Sequence, residues 1–320
     1  MDPSALAAWT PVAVNLEPPS IDWGDLRGLR FAEPFFQQTV ERWAGGAPQP
    51  LVRTDFAALA ALDAAPSLDP SALVFHLSRC GSTLVSRLLS TAPHRLVVSE
   101  PMPINTLLMA RSREFDEEAT VATLRALVRA LGRKRFGDER HYVLKLSSWN
   151  VRFVTLFRRA FPNAPIVWVQ REPAEVLASL IADPPGWAKL RFHPEEARTV
   201  LGVAAGAATT DPLSFFLHAL QAMLESVAAI ADGRVLAVDY RALPHAIWTS
   251  VAPFIGLALD AADIARMEVE ARLDSKSAVP RPFLAKRPVP LPLDEDQRRM
   301  LAQKIAPLCQ EIARRHGAGS

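Results

Sequence analysis

Between Ala72 and Ser90 the chain changes character abruptly, and that change restricts the fold more than any other feature. The apolar run Ala72–Leu77 passes into Ser78-Arg79-Cys80-Gly81 and then into Ser82–Ser90, where Leu84, Val85, Leu88 and Leu89 share one helical face. A strand that empties through small, hydroxylated residues into a helix aims several free backbone N–H groups at one point, with the helix dipole behind them. This is an anion-binding junction. Gly81 permits close backbone approach, Ser82 and Thr83 add hydroxyls, and Arg79 adds charge. A plain helix start, capped by Ser82 and with Arg79 in solvent, explains the same letters.

The rest of the chain repeats the alternation of short apolar runs with longer helical patterns. Strands are expected at Leu96–Val98, Tyr142–Leu146, Ile166–Gln170 and Val235–Val238, as well as Ala72–Leu77. Helical patterns cover Ser82–Ser90, Val121–Leu131 after an acidic turn from Glu114 to Glu118, Val151–Ala160, Ala174–Ile181, Pro212–Ala231 and Asp294–Arg315. Helical crossovers between strands make an α/β fold with a mainly parallel sheet. Residues 1–70 read differently, as extended segments around one helix at Glu33–Trp43, and are expected to form an N-terminal extension packed on a 71–320 α/β domain.

Composition bounds the function. The 320 residues carry 36 Lys+Arg against 34 Asp+Glu, a formal charge of +2, and 49% are hydrophobic. That excludes a disordered chain and argues against coating nucleic acid, but leaves room for a local anion site. Cys80 and Cys309 cannot build a disulfide framework, and no His/Cys/Asp cluster has metal-ligand spacing, so no metal is expected. The start of the sequence lacks a signal-peptide pattern, and Thr199–Thr210, the least polar stretch, is too short to span a bilayer. The expectation is a cytoplasmic protein without a membrane span, and an oligomer is compatible with it.

Two phosphate-loop patterns fail on register. A nucleotide triphosphatase loop needs a glycine–lysine pair where Gly81-Ser82 stands, and a cysteine phosphatase loop needs an arginine at Ser86, which Arg87 misses by one. The run Arg79-Cys80-Gly81-Ser82-Thr83-Leu84 instead resembles the 5′-phosphosulfate loop of the sulfotransferase family, with Cys80 in place of the usual serine. That replacement puts a thiol at a helix N-terminus, where a lowered pKa is expected. The strand, Arg171, the helix starting at Pro173, and Ser179 eight residues beyond the arginine resemble the family's 3′-phosphate segment. A surface pair of Arg171 with Glu172 or Glu175 would also account for the arginine. Tyr142–Ser147 resembles the family strand whose lysine, here Lys145, reaches the transferring group, and Val238–Pro244 resembles its strand-end segment with Tyr240.

The resemblance covers roughly residues 72–290 and implies a three-layer α/β/α fold of P-loop nucleotide-binding type. It also implies 3′-phosphoadenosine 5′-phosphosulfate (PAPS) as donor, 3′-phosphoadenosine 5′-phosphate (PAP) as product, and a small-molecule or peptide acceptor. It assigns Arg79, Lys145 and residues 80–84 (Cys80, Gly81, Ser82, Thr83, Leu84) to the leaving phosphosulfate. Arg171, Ser179, Tyr240 and Lys286 fall to the rest of the nucleotide. Ser147 stands where many members carry a histidine, so Glu100, at the end of the second strand, is the expected base. A purely structural pair of Glu100 with Arg79 or Lys145 is the alternative. A silent nucleotide-binding protein of the same fold, or an ATP-dependent phosphotransferase, would share parts of this pattern.

Overall fold

The computed structural model describes residues 3–45, 49–114, 116–207, 211–277, 279–284 and 291–317. Its centre is a five-stranded sheet of β4 (Ala72–His76), β5 (Arg95–Ser99), β6 (His141–Lys145), β7 (Ile166–Gln170) and β8 (Val235–Asp239). The strands lie in the order β5-β6-β4-β7-β8, and every pair is parallel. The chain runs from central β4 to one edge, returns through β6, and crosses to β7 and β8. The topological switch point therefore lies at the carboxyl end of β4, where sheets of this kind bind ligands.

Both faces of the sheet are covered, as the unbroken apolar runs predict. Leu73, Phe75, Leu144 and Trp168 face one cluster, which α5 (Glu117–Leu131), α6 (Val154–Ala160) and α8 (Pro212–Ala228) close through Leu127, Phe157 and Phe216. Val74, Val143 and Val167 face a second cluster under α3 (Ser82–Leu89) and α9 (Ala261–Glu270), with Val85, Leu88 and Met267. This is the three-layer α/β/α arrangement. The expected strands agree with the sheet to within a residue or two.

Two readings are corrected. Residues before 70 hold more than one helix among extended segments. They form an antiparallel sheet of β1 (Thr10–Leu16), β2 (Pro19–Gly24) and β3 (Leu51–Thr54), with α1 (Phe36–Ala44) and α2 (Phe56–Ala61). Val14, Ile21, Trp23, Phe36 and Leu59 join the large core cluster rather than making one of their own. The acidic turn also divides: Glu114 ends α4 (Met102–Glu114), while Asp116 caps α5 by accepting from the Ala119 amide at 2.7 Å. The helix α7 (Pro173–Ala182) starts on proline, as expected.

Candidate active site

Three strand ends meet at the switch point. Val74 and Ser99 flank Lys145 in register, and the Glu100 amide donates to the Lys145 carbonyl at 2.7 Å, extending the ladder by one residue. Backbone position alone therefore sets Glu100 beside Lys145. Among the described residues, two non-glycine residues have a left-handed backbone: Arg79 at φ 60° and Glu100 at φ 52°. Such geometry costs on the order of 1–3 kcal/mol per residue and gathers at functional sites. Both are residues that the sequence marks as catalytic candidates.

Lys145 is fully buried, and its Nζ donates to Glu100 Oε1. The other carboxylate oxygen, Oε2, accepts from the Ser147 hydroxyl at 3.4 Å, and Ser147 Oγ in turn accepts from Asn105 Nδ2 at 3.0 Å. His76 Nε2 donates to the Leu146 carbonyl at 3.0 Å and lies 3.8 Å from Glu100 Oε1. Burial, then the Lys145 charge, push the His76 pKa down to about 4, so its ring is neutral near pH 7. Burial alone would push the Glu100 carboxyl up. Lys145, His76 and the hydrogen bonds from Lys145 and Ser147 outweigh it and hold the carboxyl below its ordinary range. The pairing of Glu100 with Lys145 is thus present, and it leaves Glu100 ionised.

The loop after β4 is bent by Gly81, whose φ of 86° suits glycine, and Gly81 rather than Ser82 is the N-cap of α3. Ser82 and Thr83 are buried in the first turn, and among the described residues their hydroxyls have no hydrogen-bond partner. The first-turn amides have no acceptor within the helix. Cys80 departs from expectation: its side chain turns away into the core and donates to the Val169 carbonyl at 3.1 Å. Burial pushes its thiol up to about 12, against the weaker pull of nearby amides, so only its backbone faces the junction. Cys309 is buried too and is also pushed up, to about 12. Thiol reagents should therefore label neither cysteine in the native protein and both after unfolding. Prompt native labelling of Cys80, followed by mass spectrometry, would contradict this placement.

The second motif meets the first through Tyr240. The Arg171 guanidinium carbon lies 4.5 Å from the Tyr240 ring centroid, and the same ring closes over Gly81. Arg171 Nε also pairs with Glu175 at 2.6 Å, the surface pairing that the sequence allowed. Such a half-exposed pair, one helical turn apart, is worth only about 0–1 kcal/mol and yields readily to a stronger anion. Ser179 lies two turns along α7, and its carbonyl accepts from the Asp183 amide at 3.1 Å. Asp183 holds Arg79 through both its backbone carbonyl and its carboxylate, the latter at 2.7 Å. The loop after α7 therefore reaches the site. Lys286 lies outside the described residues; Arg281, five residues before it at the start of the same basic stretch, pairs with Asp274 at 2.7 Å.

Sequence reasoning missed two neighbours of the site. The Phe35 ring lies 5.3 Å from Lys145 Nζ, brought there by the N-terminal segment. Lys276, an exposed residue, lies within electrostatic reach of the site. There partial desolvation first, and then the charges of Arg79 and Lys145, lower its pKa. Neither residue stands in a motif, so neither had a local signal.

A parallel sheet whose switch point gathers a helix N-terminus, a buried lysine and a carboxylate is an arrangement suited to holding an anionic ligand. The sequence matches the sulfotransferase family over residues 70–260, and the chain belongs to that family. Among solved structures, a sulfotransferase from Alicyclobacillus acidocaldarius is 15% identical, covering 78% of this chain and 97% of its own, with a TM-score of 0.43. A sulfotransferase from Mycobacterium avium is 14% identical over 64% of this chain and 68% of its own, with a TM-score of 0.41. The sulfotransferase domain of the Synechococcus PCC 7002 olefin synthase is 16% identical over 74% of this chain and 94% of its own, with a TM-score of 0.40. No curated protein matches the sequence. Among the described residues no helix is long and apolar enough to cross a membrane, and no group of three or more His, Cys, Asp or Glu is placed to hold a metal ion.

Proposed function

We propose that this enzyme moves a sulfuryl group from PAPS to a hydroxyl or amine of a small-molecule or peptide acceptor, by in-line transfer. The observation that carries the reading is that a buried lysine paired with Glu100, and a left-handed backbone at both Glu100 and Arg79, come together where β4, β5 and β6 end and α3 begins. In such transfers there is little covalent work for the protein, and catalysis is mostly positioning and charge stabilisation. The first-turn amides and the hydroxyls of Ser82 and Thr83 suit the 5′-phosphosulfate. Arg79, whose Nε is buried without a partner, and Lys145 are set to meet charge that builds on the leaving phosphate. Arg171 and Ser179 suit the 3′-phosphate, with Tyr240 packed against the arginine.

Glu100 is the base in this reading. The acceptor oxygen or nitrogen bonds to sulfur as the bond from sulfur to the leaving phosphate oxygen breaks, and Glu100 takes the acceptor proton. Binding of PAP tests the donor side without knowledge of the acceptor. Titration calorimetry should show micromolar affinity for wild type and a loss of about tenfold to a hundredfold for Arg171→Ala, the range expected when a bidentate phosphate contact goes. Absence of PAP binding by the wild type would overturn the reading.

A further inference from the structure

We propose that Ser147 and Asn105 are positioning residues that hold Glu100 by its Oε2, so that Lys145 can leave Oε1 for the donor without the base losing its place. This rests on the donor reading above. Lys145 has two claims on it: its Nζ now donates to Glu100, and the same ammonium is the one set to meet the donor phosphate. When it turns to the donor, Glu100 needs a second anchor. Ser147 supplies it at 3.4 Å, and Asn105 Nδ2, at 3.0 Å, occupies a lone pair of the hydroxyl and so turns its proton toward the carboxylate.

The anchor is itself fixed. The Ser147 amide donates to Asn150 Oδ1 at 2.9 Å, Asn150 is fully buried, and Asn105 stands on α4 with a relative exposure of 9%. These two asparagines come from different elements and converge on one serine. The serine sits at the position where many family members carry a histidine. Here its role is to hold a base rather than to be one.

The exchange changes the charge around Glu100. The groups around it are the charged Lys145 on β6, the titratable but neutral His76 on β4, Lys276 from the segment after α9, and the Ser147 hydroxyl. Once Lys145 faces a phosphate, its hold on the carboxylate weakens while the burial stays. The affinity of Glu100 for a proton then rises toward the range where a general base works well. Donor binding therefore readies the base, and a free enzyme keeps it quiet.

Titration calorimetry of PAP binding, run at a series of pH values from about 5 to 8 and at each in two buffers of different ionisation enthalpy, counts the protons exchanged as a function of pH. Wild type should take up protons relative to Glu100→Gln, a comparison that cancels protons exchanged by PAP itself. Ser147→Ala should bind PAP with about wild-type affinity but move the midpoint of that extra uptake up by about one pH unit, because the carboxylate has lost a donor. Ser147→Thr, which keeps the hydroxyl, should restore the wild-type midpoint. Asn105→Ala should move it in the same direction by less, and serves where Ser147→Ala does not fold. An unmoved midpoint in a folded Ser147→Ala or Asn105→Ala protein that binds PAP overturns the inference. So does equal uptake by wild type and Glu100→Gln, which would place the proton on His76. Failure of wild type to bind PAP would instead remove the donor reading beneath it.

Discussion

Lys145→Met should lower sulfuryl transfer by about a thousandfold or more, the scale on which a single preorganised charge stabilises a transition state. Methionine keeps most of the buried volume but brings no charge to the leaving phosphate. Donor affinity should fall less than the rate does, because the amides and Arg171, in the proposed reading, would still hold the ground state. The same change strips Glu100 of its principal counterion. The carboxyl then faces burial with Ser147, a neutral His76 and the exposed Lys276 around it, none of which replaces the lost ion pair, and its pKa rises. Breaking a buried pair costs about 3–5 kcal/mol, and here the cost sits at or below the low end because the Glu100 side chain keeps 27% of its exposure. The loss of stability should be larger at pH 8 than at pH 5, since protonating Glu100 relieves it. Adding Glu100→Gln should recover most of that stability and none of the activity. A single variant as stable as wild type at pH 8 in chemical denaturation, or one retaining a tenth of wild-type transfer, would contradict the role given to Lys145.

The strands, and with them the junction from β4 into α3, were legible in the sequence because a fully covered parallel strand is apolar along its whole length. Ile166–Gln170 could be read without ambiguity for that reason. The first 70 residues were harder. Their strands β1 to β3 carry Pro11, Pro19 and mixed polar residues, and the register of an antiparallel sheet is fixed by partners far away in sequence. Side-chain direction was the other blind spot. Spacing placed Cys80 in the loop but could not say that its thiol turns to Val169, which reverses the expected pKa. The Glu100 backbone strain, the Asp183 hold on Arg79 and the reach of Phe35 all depend on elements brought together by the sheet, and no local pattern encodes them.

Gly81→Ala should abolish measurable PAP binding at micromolar concentrations while leaving the sheet folded. Two costs add at this position. Alanine at φ 86° is strained by about 1–2 kcal/mol. A Cβ there would also lie 2.7 Å from Tyr240 Cδ2, 3.0 Å from Cε2 and 3.1 Å from Leu243 Cδ1. Tyr240 must move, and its ring is what Arg171 packs against, so one methyl group disturbs both halves of the proposed donor site together. Arg171→Ala, by contrast, removes one contact and leaves the loop intact, so its loss of affinity should be smaller. The double variant Gly81→Ala with Tyr240→Ala separates the costs: the steric part disappears and the backbone strain remains. Its stability should exceed that of Gly81→Ala in thermal denaturation, while PAP affinity stays below wild type because the packing of Arg171 is gone. Wild-type affinity in Gly81→Ala would show that the loop and the Arg171 strand do not act through a shared aromatic ring.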